Sequence, residues 1–179
     1  MTGAAGRRFA IRYAIQRWDD GKWFYGSFLV ILVGLTVFKI YRHQSIISFI
    51  PVLILDAGIL LLFYLARLVS YVEVGGDSLR IRYVFRRMTL PYSALSKVRR
   101  QALEVAFQPA DRRRFVNRFV RRLARQPAAY IRLDRRNPDL LVEAERRLGG
   151  RLVAGPDVVI PIVDVDGFIA ELKGRLRWA

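Results

Sequence analysis

Residues 23–41 read WFYGSFLVILVGLTVFKIY, and residues 46–66 read IISFIPVLILDAGILLLFYLA. Each stretch is long enough to cross a hydrocarbon core about 30 Å thick at a rise of about 1.5 Å per residue. Only Arg42–Ser45 separates the two stretches, so the sequence predicts an antiparallel transmembrane hairpin. Two buried helices in a soluble core are the alternative, but the rest of the chain is too small and too charged to surround them.

Charge is distributed unevenly along the chain. The 179 residues include 31 Lys and Arg against 15 Asp and Glu, which gives a formal net charge of +16. Most of the basic residues follow the second apolar stretch, so the positive-inside rule predicts that both termini are cytoplasmic. The absence of cysteine excludes disulfides and cysteine-based zinc sites.

Three segments follow from this pattern. They are a cytoplasmic amphipathic segment over residues 1–22, the hairpin over residues 23–66, and a folded cytoplasmic domain over residues 67–179. In the first segment apolar residues recur at helical spacing, namely Ile11, Ala14, Ile15 and Trp18. We therefore expect a helix from Arg7 to Trp18 that lies on the inner leaflet and ends at Asp19–Gly21. An ordinary juxtamembrane anchor is the alternative.

Asp56 is the unusual residue of the hairpin, because it lies in the middle of the second apolar stretch. A charged carboxylate there costs about 2.5–3.5 kcal/mol on insertion scales. A hydrogen bond to Thr36 or Ser27, or a partner across an oligomer, would reduce that cost. The functional alternative is an ion or proton site, although a single carboxylate makes a poor pathway.

Beyond residue 66 the pattern changes from helical spacing to alternation. Leu79–Phe85 reads LRIRYVF, with Leu79, Ile81, Tyr83 and Phe85 on one face and Arg80 and Arg82 on the other, which predicts a strand. Turns are predicted before it at Gly75–Ser78 and after it at Arg86-Arg87. The other predicted strands are Ser70–Val74, Met88–Pro91, Val98–Phe107, Ala128–Leu133 and Val158–Val163.

Two helices are predicted in the last third of the chain. Asn137-Pro138 is a typical helix start, and Gly149-Gly150 is a typical stop. Asp166 is the expected cap of a terminal helix whose buried stripe is Phe168, Ile169, Leu172 and Leu176.

The stretches YVEVGGDSLRIRYVFRRMTLPYSALSKV and VVIPIVDVDGFIAELKGRL follow the membrane segment. In this arrangement the chain resembles bacterial membrane proteins that carry a pleckstrin-homology-like (PH-like) domain. The resemblance implies an α+β fold, in which a small β-barrel of two bent sheets is closed by a C-terminal helix. It also implies a lipid- or protein-binding scaffold in the bacterial inner membrane. This chain departs from the pattern between Ala110 and Leu148, where two helical segments are inserted.

Catalytic patterns are missing from the sequence. His43 is the only histidine, which excludes a histidine triad or a multi-histidine metal site within one chain. Neither GxxxxGK[ST] nor GxGxxG is present. Asp164 and Asp166 are more typical of a turn and a helix cap than of a catalytic pair. We therefore expect no enzyme, no metal and no cofactor.

Arginines supply the candidate binding chemistry, because the planar guanidinium matches phosphate oxygens. One group, on the early strands, is Arg80, Arg82, Arg86 and Arg87. The other follows Asp111 on a predicted basic helix and consists of Arg112, Arg113, Arg114, Arg118, Arg121, Arg122 and Arg125. That helix has an apolar stripe at Phe115, Phe119 and Leu123, so it either lies on anionic lipid or packs on its own domain.

Three hypotheses follow for function. The first is a membrane-anchored PH-like assembly module whose arginines contact anionic lipid headgroups or an acidic protein partner. The second is contact with nucleic acid or the ribosome through residues 111–125, although no recognised nucleic-acid-binding motif supports it. The third is a small channel or transporter subunit that acts through Asp56 in a homo-oligomer, because two spans cannot enclose a pathway alone.

Overall fold

The computed structural model describes residues 6–106, 123–134, 136–150 and 152–176. The chain divides into two compact units. One is residues 14–68, and the other combines the residues up to Tyr13 with those from Val69 onward. The unit that begins again at Val69 thus also contains residues that precede the helices.

The first unit contains the two apolar stretches, which form α1 (Arg12–Tyr41) and α2 (Ile50–Val69). Both helices are long and apolar enough to span a bilayer, and only 6 % of the most apolar window of each is buried. A core helix of a soluble protein would be mostly buried, so this exposure supports membrane association.

The polar residues Asp19–Gly21 lie inside α1 and do not end a helix, contrary to the prediction. Aromatic contacts between the two helices occur at this level: the rings of Trp18 and Tyr64 are 5.5 Å apart between centroids. A Cβ atom at Gly21 would lie 2.8 Å from Cδ2 of Phe63, so this glycine permits the close approach of the two helices.

The first sheet of the second unit is antiparallel, with strand order β1-β2-β3-β4. Its strands are β1 (Arg7–Ala10), β2 (Tyr71–Val74), β3 (Ser78–Tyr83) and β4 (Arg86–Pro91). β1 pairs with β2 from Arg7 opposite Val74 to Ala10 opposite Tyr71. The predicted helix from Arg7 is therefore wrong over these four residues. β1 forms because Phe9 enters the apolar core, where it is 4 % exposed.

The second sheet is also antiparallel, with strand order β5-β6-β8-β7. Its strands are β5 (Leu95–Ala102), β6 (Pro127–Leu133), β7 (Val153–Ala154) and β8 (Asp157–Ile160). Short 3₁₀ helices at Tyr92–Ala94 and Leu103–Ala106 flank β5. The predicted strand at Ala128–Leu133 is confirmed, whereas the one predicted at Val158–Val163 ends earlier, at Ile160.

Helix α3 (Pro138–Leu148) has the start and stop that the sequence predicts. Proline occupies its first turn, and Gly149 follows with a φ of +77°, which a side chain would strain. The other predicted insertion, the basic helix from Asp111, lies outside the described residues except at its end.

Helix α4 (Val165–Leu176) closes the described chain. Phe168 and Leu172 are fully buried, as predicted. The cap, however, is Asp164, whose Oδ1 accepts a hydrogen bond from the Gly167 amide at 2.9 Å. Asp166, the expected cap, instead receives two hydrogen bonds from Arg100 at 2.9 and 3.0 Å.

Ile11 connects the two sheets and is fully buried in their shared apolar core. Its amide donates to the Ser70 carbonyl at 3.3 Å, and the residue also forms an isolated bridge with Ile162. The next amide, that of Arg12, donates to the Pro161 carbonyl at 2.7 Å. The segment before the helices is thus hydrogen-bonded to both halves of the domain.

Candidate functional site

The turn between β3 and β4 consists of Val84 and Phe85, which we call the tip. The sequence pattern predicts this turn at Arg86-Arg87 and places Phe85 on the same strand face as Tyr83. Both expectations are wrong: β3 ends at Tyr83, β4 begins at Arg86, and Phe85 is 84 % exposed.

The backbone of the tip is unfavourable for its sequence. Val84 has a φ of +53°, in the left-handed region that glycine and asparagine tolerate and that β-branched residues rarely adopt. Its amide donates to the Ser70 hydroxyl oxygen at 3.0 Å, which helps to hold this conformation. Strain of this kind persists where the surroundings enforce it, and it is common at functional sites.

Arg82 and Arg87 face each other across the β3–β4 pair, one residue inside the Tyr83–Arg86 pair that flanks the tip. Like charges directly opposite each other destabilise an antiparallel pair. Within the described part of the chain, neither guanidinium has an ion pair with a carboxylate, and the buried Nε of Arg82 has no hydrogen-bond partner. These two arginines therefore carry uncompensated charge.

Arg80 lies on the same face but has a partner. Its Nη1 is 3.7 Å from Oε1 of Glu73, and Arg8 donates from Nε to Oε2 of Glu73 at 2.9 Å. This hydrogen bond raises the pKa of Arg8. Arg8 was absent from the predicted site because its strand was predicted to be a helix. Glu73 thus partly compensates Arg8 and Arg80, whereas Arg82 and Arg87 have no carboxylate partner among the described residues.

Arg86 has a structural partner. Its Nη1 donates to the carbonyl of Leu148, the last residue of α3, at 2.5 Å. A cation at this position satisfies a free carbonyl and complements the helix dipole. A side chain at Gly149 would collide with this guanidinium. Of the four arginines predicted on these strands, Arg82 and Arg87 are therefore the two available for a ligand.

The tip lies at the end of the domain where the chain connects to the helices. We define the junction as Ile11, Arg12 and Ser70, which are adjacent through the Ile11–Ser70 hydrogen bond. Ser70 is the residue after α2, and its hydroxyl accepts from the amide of Val84. The tip is thus hydrogen-bonded to the residue at which the chain leaves α2.

Described residues on either side of the predicted basic segment lie near the junction. Arg112, Arg113, Arg114, Arg118, Arg121 and Arg122 lie outside the described residues. Arg125 is described and exposed. Its neighbour Gln126 accepts a hydrogen bond from Arg12 at 3.1 Å, and the Glu104 amide donates to the Ala124 carbonyl at 2.9 Å. The residues that bracket the segment therefore meet close to the start of α1.

A second cluster of charged residues lies on the other sheet. Asp157 is buried and receives hydrogen bonds from Arg99 at 2.8 Å and from Arg132 at 2.9 and 3.2 Å. These bonds raise the pKa of Arg132. Tyr130 is buried beside them and donates to the Ala102 carbonyl at 2.7 Å. Because these groups satisfy each other, the cluster stabilises the sheet and offers no free ligand.

Asp56 is buried in the helical unit, where it is 3 % exposed. Its Oδ2 has no hydrogen-bond partner among the described residues. The partners considered from the sequence are engaged elsewhere: Thr36 donates to the Leu32 carbonyl at 2.7 Å, and Ser27 donates to the Phe24 carbonyl at 3.0 Å. A second polar group that would complete an ion site is therefore missing around this carboxylate within the described helices.

Over the described ranges, no group of three or more histidine or acidic side chains is placed to hold a metal ion. Comparison with protein-family models, curated proteins and solved structures finds no match for this chain. Function must therefore be argued from the geometry of the tip and the junction.

Proposed function

We propose that this chain is a membrane-anchored binding module, in which two spanning helices hold a two-sheet PH-like domain against the anionic headgroups of the same bilayer. Arginines at the junction end of the domain make the contact. The observation that carries this proposal is the uncompensated pair of Arg82 and Arg87 next to the tip. The Val84 amide of the tip donates to the hydroxyl of Ser70, the residue that follows α2.

The distance along the helices supports contact with headgroups. Trp18 and Tyr64 form an aromatic pair of the kind that settles at a membrane interface. Arg12 and Ser70 each lie six residues from this pair along the chain. At about 1.5 Å per residue, each helix adds about 9 Å between the pair and the junction. A Debye length is about 8 Å at physiological salt, so an attraction over about 9 Å is strongest at low salt and is screened as the salt concentration rises.

Strand pairing supports the predicted topology. β1 precedes α1 and β2 follows α2, yet the two strands are neighbours in one sheet. If α1 and α2 both span the bilayer, this pairing requires that both ends of the anchor lie on one side of the membrane. We propose that this side is the cytoplasm of a bacterial inner membrane, because the positive-inside rule favours it for a basic domain.

Hydrogen exchange of the full-length protein in nanodiscs tests the headgroup contact. We expect amides of residues 78–91 to exchange more slowly with anionic than with neutral phospholipid. At about 1 kcal/mol per basic residue near the surface, Arg82 and Arg87 together predict roughly 30-fold slower exchange at low salt. The effect should disappear in 0.5 M salt, because screening is then strong.

The double variant Arg82→Gln/Arg87→Gln should lose the dependence on anionic lipid. Its matched control is Lys173→Gln/Arg175→Gln, which removes the same charge from the last turn of α4. If residues 78–91 of the unsubstituted protein exchange equally fast in neutral and anionic nanodiscs at low salt, the proposal is refuted. Protection that requires added RNA, in place of anionic lipid, would shift the assignment to nucleic-acid binding.

A further inference from the structure

The aromatic ring at the tip contributes nothing to the core of its own domain. Phe85 is 84 % exposed and is one of the most exposed large apolar residues in the described chain. Most other exposed large apolar residues of the described chain lie on α1 and α2, the two candidate membrane spans. A ring held in water on a soluble domain requires another explanation.

Three local choices at the same hairpin each oppose stability. A β-branched residue occupies a left-handed backbone position, an aromatic ring faces solvent, and two arginines face each other across the strands. Asparagine and glycine in the turn, with a carboxylate opposite one arginine, would relieve all three. Sites that break several local rules together are expected to be functional.

We propose that Phe85 inserts into the interfacial layer of the bilayer that anchors the protein, so that the tip is a third membrane attachment beside the two helices. This inference deepens the proposed function and rests on it. The flanking cations Arg82 and Arg87 would meet headgroup phosphates while the ring enters below them, as amphipathic interfacial segments do.

The chain geometry permits this insertion. Ser70 lies about 9 Å along α2 from the interfacial ring of Tyr64, and the hydroxyl of Ser70 accepts from the amide of Val84 at 3.0 Å. Phe85 is the next residue. The interfacial layer is about 5–7 Å deep on each side of the hydrocarbon core, so a tip held at Ser70 needs only a small reach to enter it.

Site-specific labels in full-length protein test the inference, and the chain has no cysteine to interfere. In the Phe85→Cys protein, an environment-sensitive fluorophore is attached to the introduced cysteine. The labelled protein is placed in vesicles that contain anionic lipid and a lipid with a nitroxide quencher near its headgroup. Asp77→Cys is the matched control, since Asp77 is exposed in the turn at the opposite end of β3. The two positions lie beyond opposite ends of β3, a six-residue strand about 20 Å long.

We expect quenching at position 85 at least about twofold stronger than at position 77, as for a ring at the headgroup level. A second pair of proteins compares the natural ring with its replacement. Both carry the label at Thr89→Cys, and one also carries Phe85→Asp. Because Phe85 is exposed, this substitution leaves the core intact. Quenching at position 89 should be weaker in the protein with Phe85→Asp than in the protein that retains Phe85.

The outcomes separate the two proposals. Equal quenching at positions 85 and 77, or no effect of Phe85→Asp at position 89, overturns the insertion of Phe85. If residues 78–91 nevertheless exchange more slowly with anionic lipid, the proposed function stands and only the third attachment is wrong. If the lipid dependence of exchange is also absent, both proposals are refuted.

Discussion

The contribution of strand β1 can be measured with two variants that both lack α1 and α2, one without β1 and one with it. One variant begins at Ser70. The other joins residues 6–12 to residues 69–179 through an Asn-Gly turn. A two-residue turn fits here because the Ile11 amide already pairs with the Ser70 carbonyl at 3.3 Å. We expect the joined variant to fold and the variant that begins at Ser70 to be unfolded or strongly destabilised.

The size of the effect follows from what β1 buries. Phe9 is 4 % exposed, and Ile11, which follows the strand, is fully buried. Full burial of such a side chain contributes about 1.5–3 kcal/mol, so the two contribute about 3–6 kcal/mol. A whole domain is stable by only about 5–15 kcal/mol. Loss of β1 also leaves β2 as an exposed edge strand.

Urea unfolding, followed by circular dichroism, measures the difference. With a slope of about 1–3 kcal/mol per molar urea, the two midpoints should differ by at least about 1 M. Ile11→Ala and the exposed Ser96→Ala, each made in the joined variant, serve as a matched pair. Only Ile11→Ala should unfold at a lower urea concentration than the joined variant itself. Equal midpoints for the variants with and without β1 would show that β1 is not part of the sheet.

Two further predictions concern buried polar groups. Burial raises the pKa of Tyr130 above 10, so its contribution to stability is complete below pH 10 and is lost as the pH rises through the folded-state pKa. Tyr130→Phe should destabilise the joined variant by about 1–3 kcal/mol at pH 7. Urea titrations should show a smaller difference in unfolding free energy between the two proteins above pH 10. A difference that stays constant with pH would contradict this prediction. Asp56→Leu should raise the thermal stability of the full-length protein in detergent, because it removes a buried carboxylate oxygen that lacks a partner; a lower stability would indicate a partner in an oligomer and favour the third hypothesis.

Much of the fold follows from local patterns. The apolar stretches predict α1 and α2, alternation predicts β3, and the proline and glycine signals predict α3. β1 escaped prediction because it is four residues long and pairs with a strand about sixty residues later. Helical spacing in the adjacent start of α1 also extended the predicted helix over it.

The candidate site was predicted in part. Arginines on β3 and β4 were identified, but their partners are distant in sequence: Arg86 donates to Leu148, and Arg80 lies beside Glu73. Only the pairing of strands shows that Arg82 faces Arg87. Phe85 was placed on an inner face because alternation alone does not indicate where a strand ends. No turn residue marks the tip, since valine and phenylalanine are rare in two-residue turns.

The interruption of one sheet by two helices has a consequence for synthesis. β1 is translated first, and its partner β2 follows about sixty residues later. At about 5–20 residues per second, β1 waits about 3–12 s with its backbone unpaired and Phe9 exposed. Completion of the sheet then requires that α1 and α2 bring β2 back to β1. If the two helices insert into a membrane as proposed, the domain completes its sheet only after its anchor, and a chain that fails to insert keeps an open strand edge that chaperones and proteases recognise.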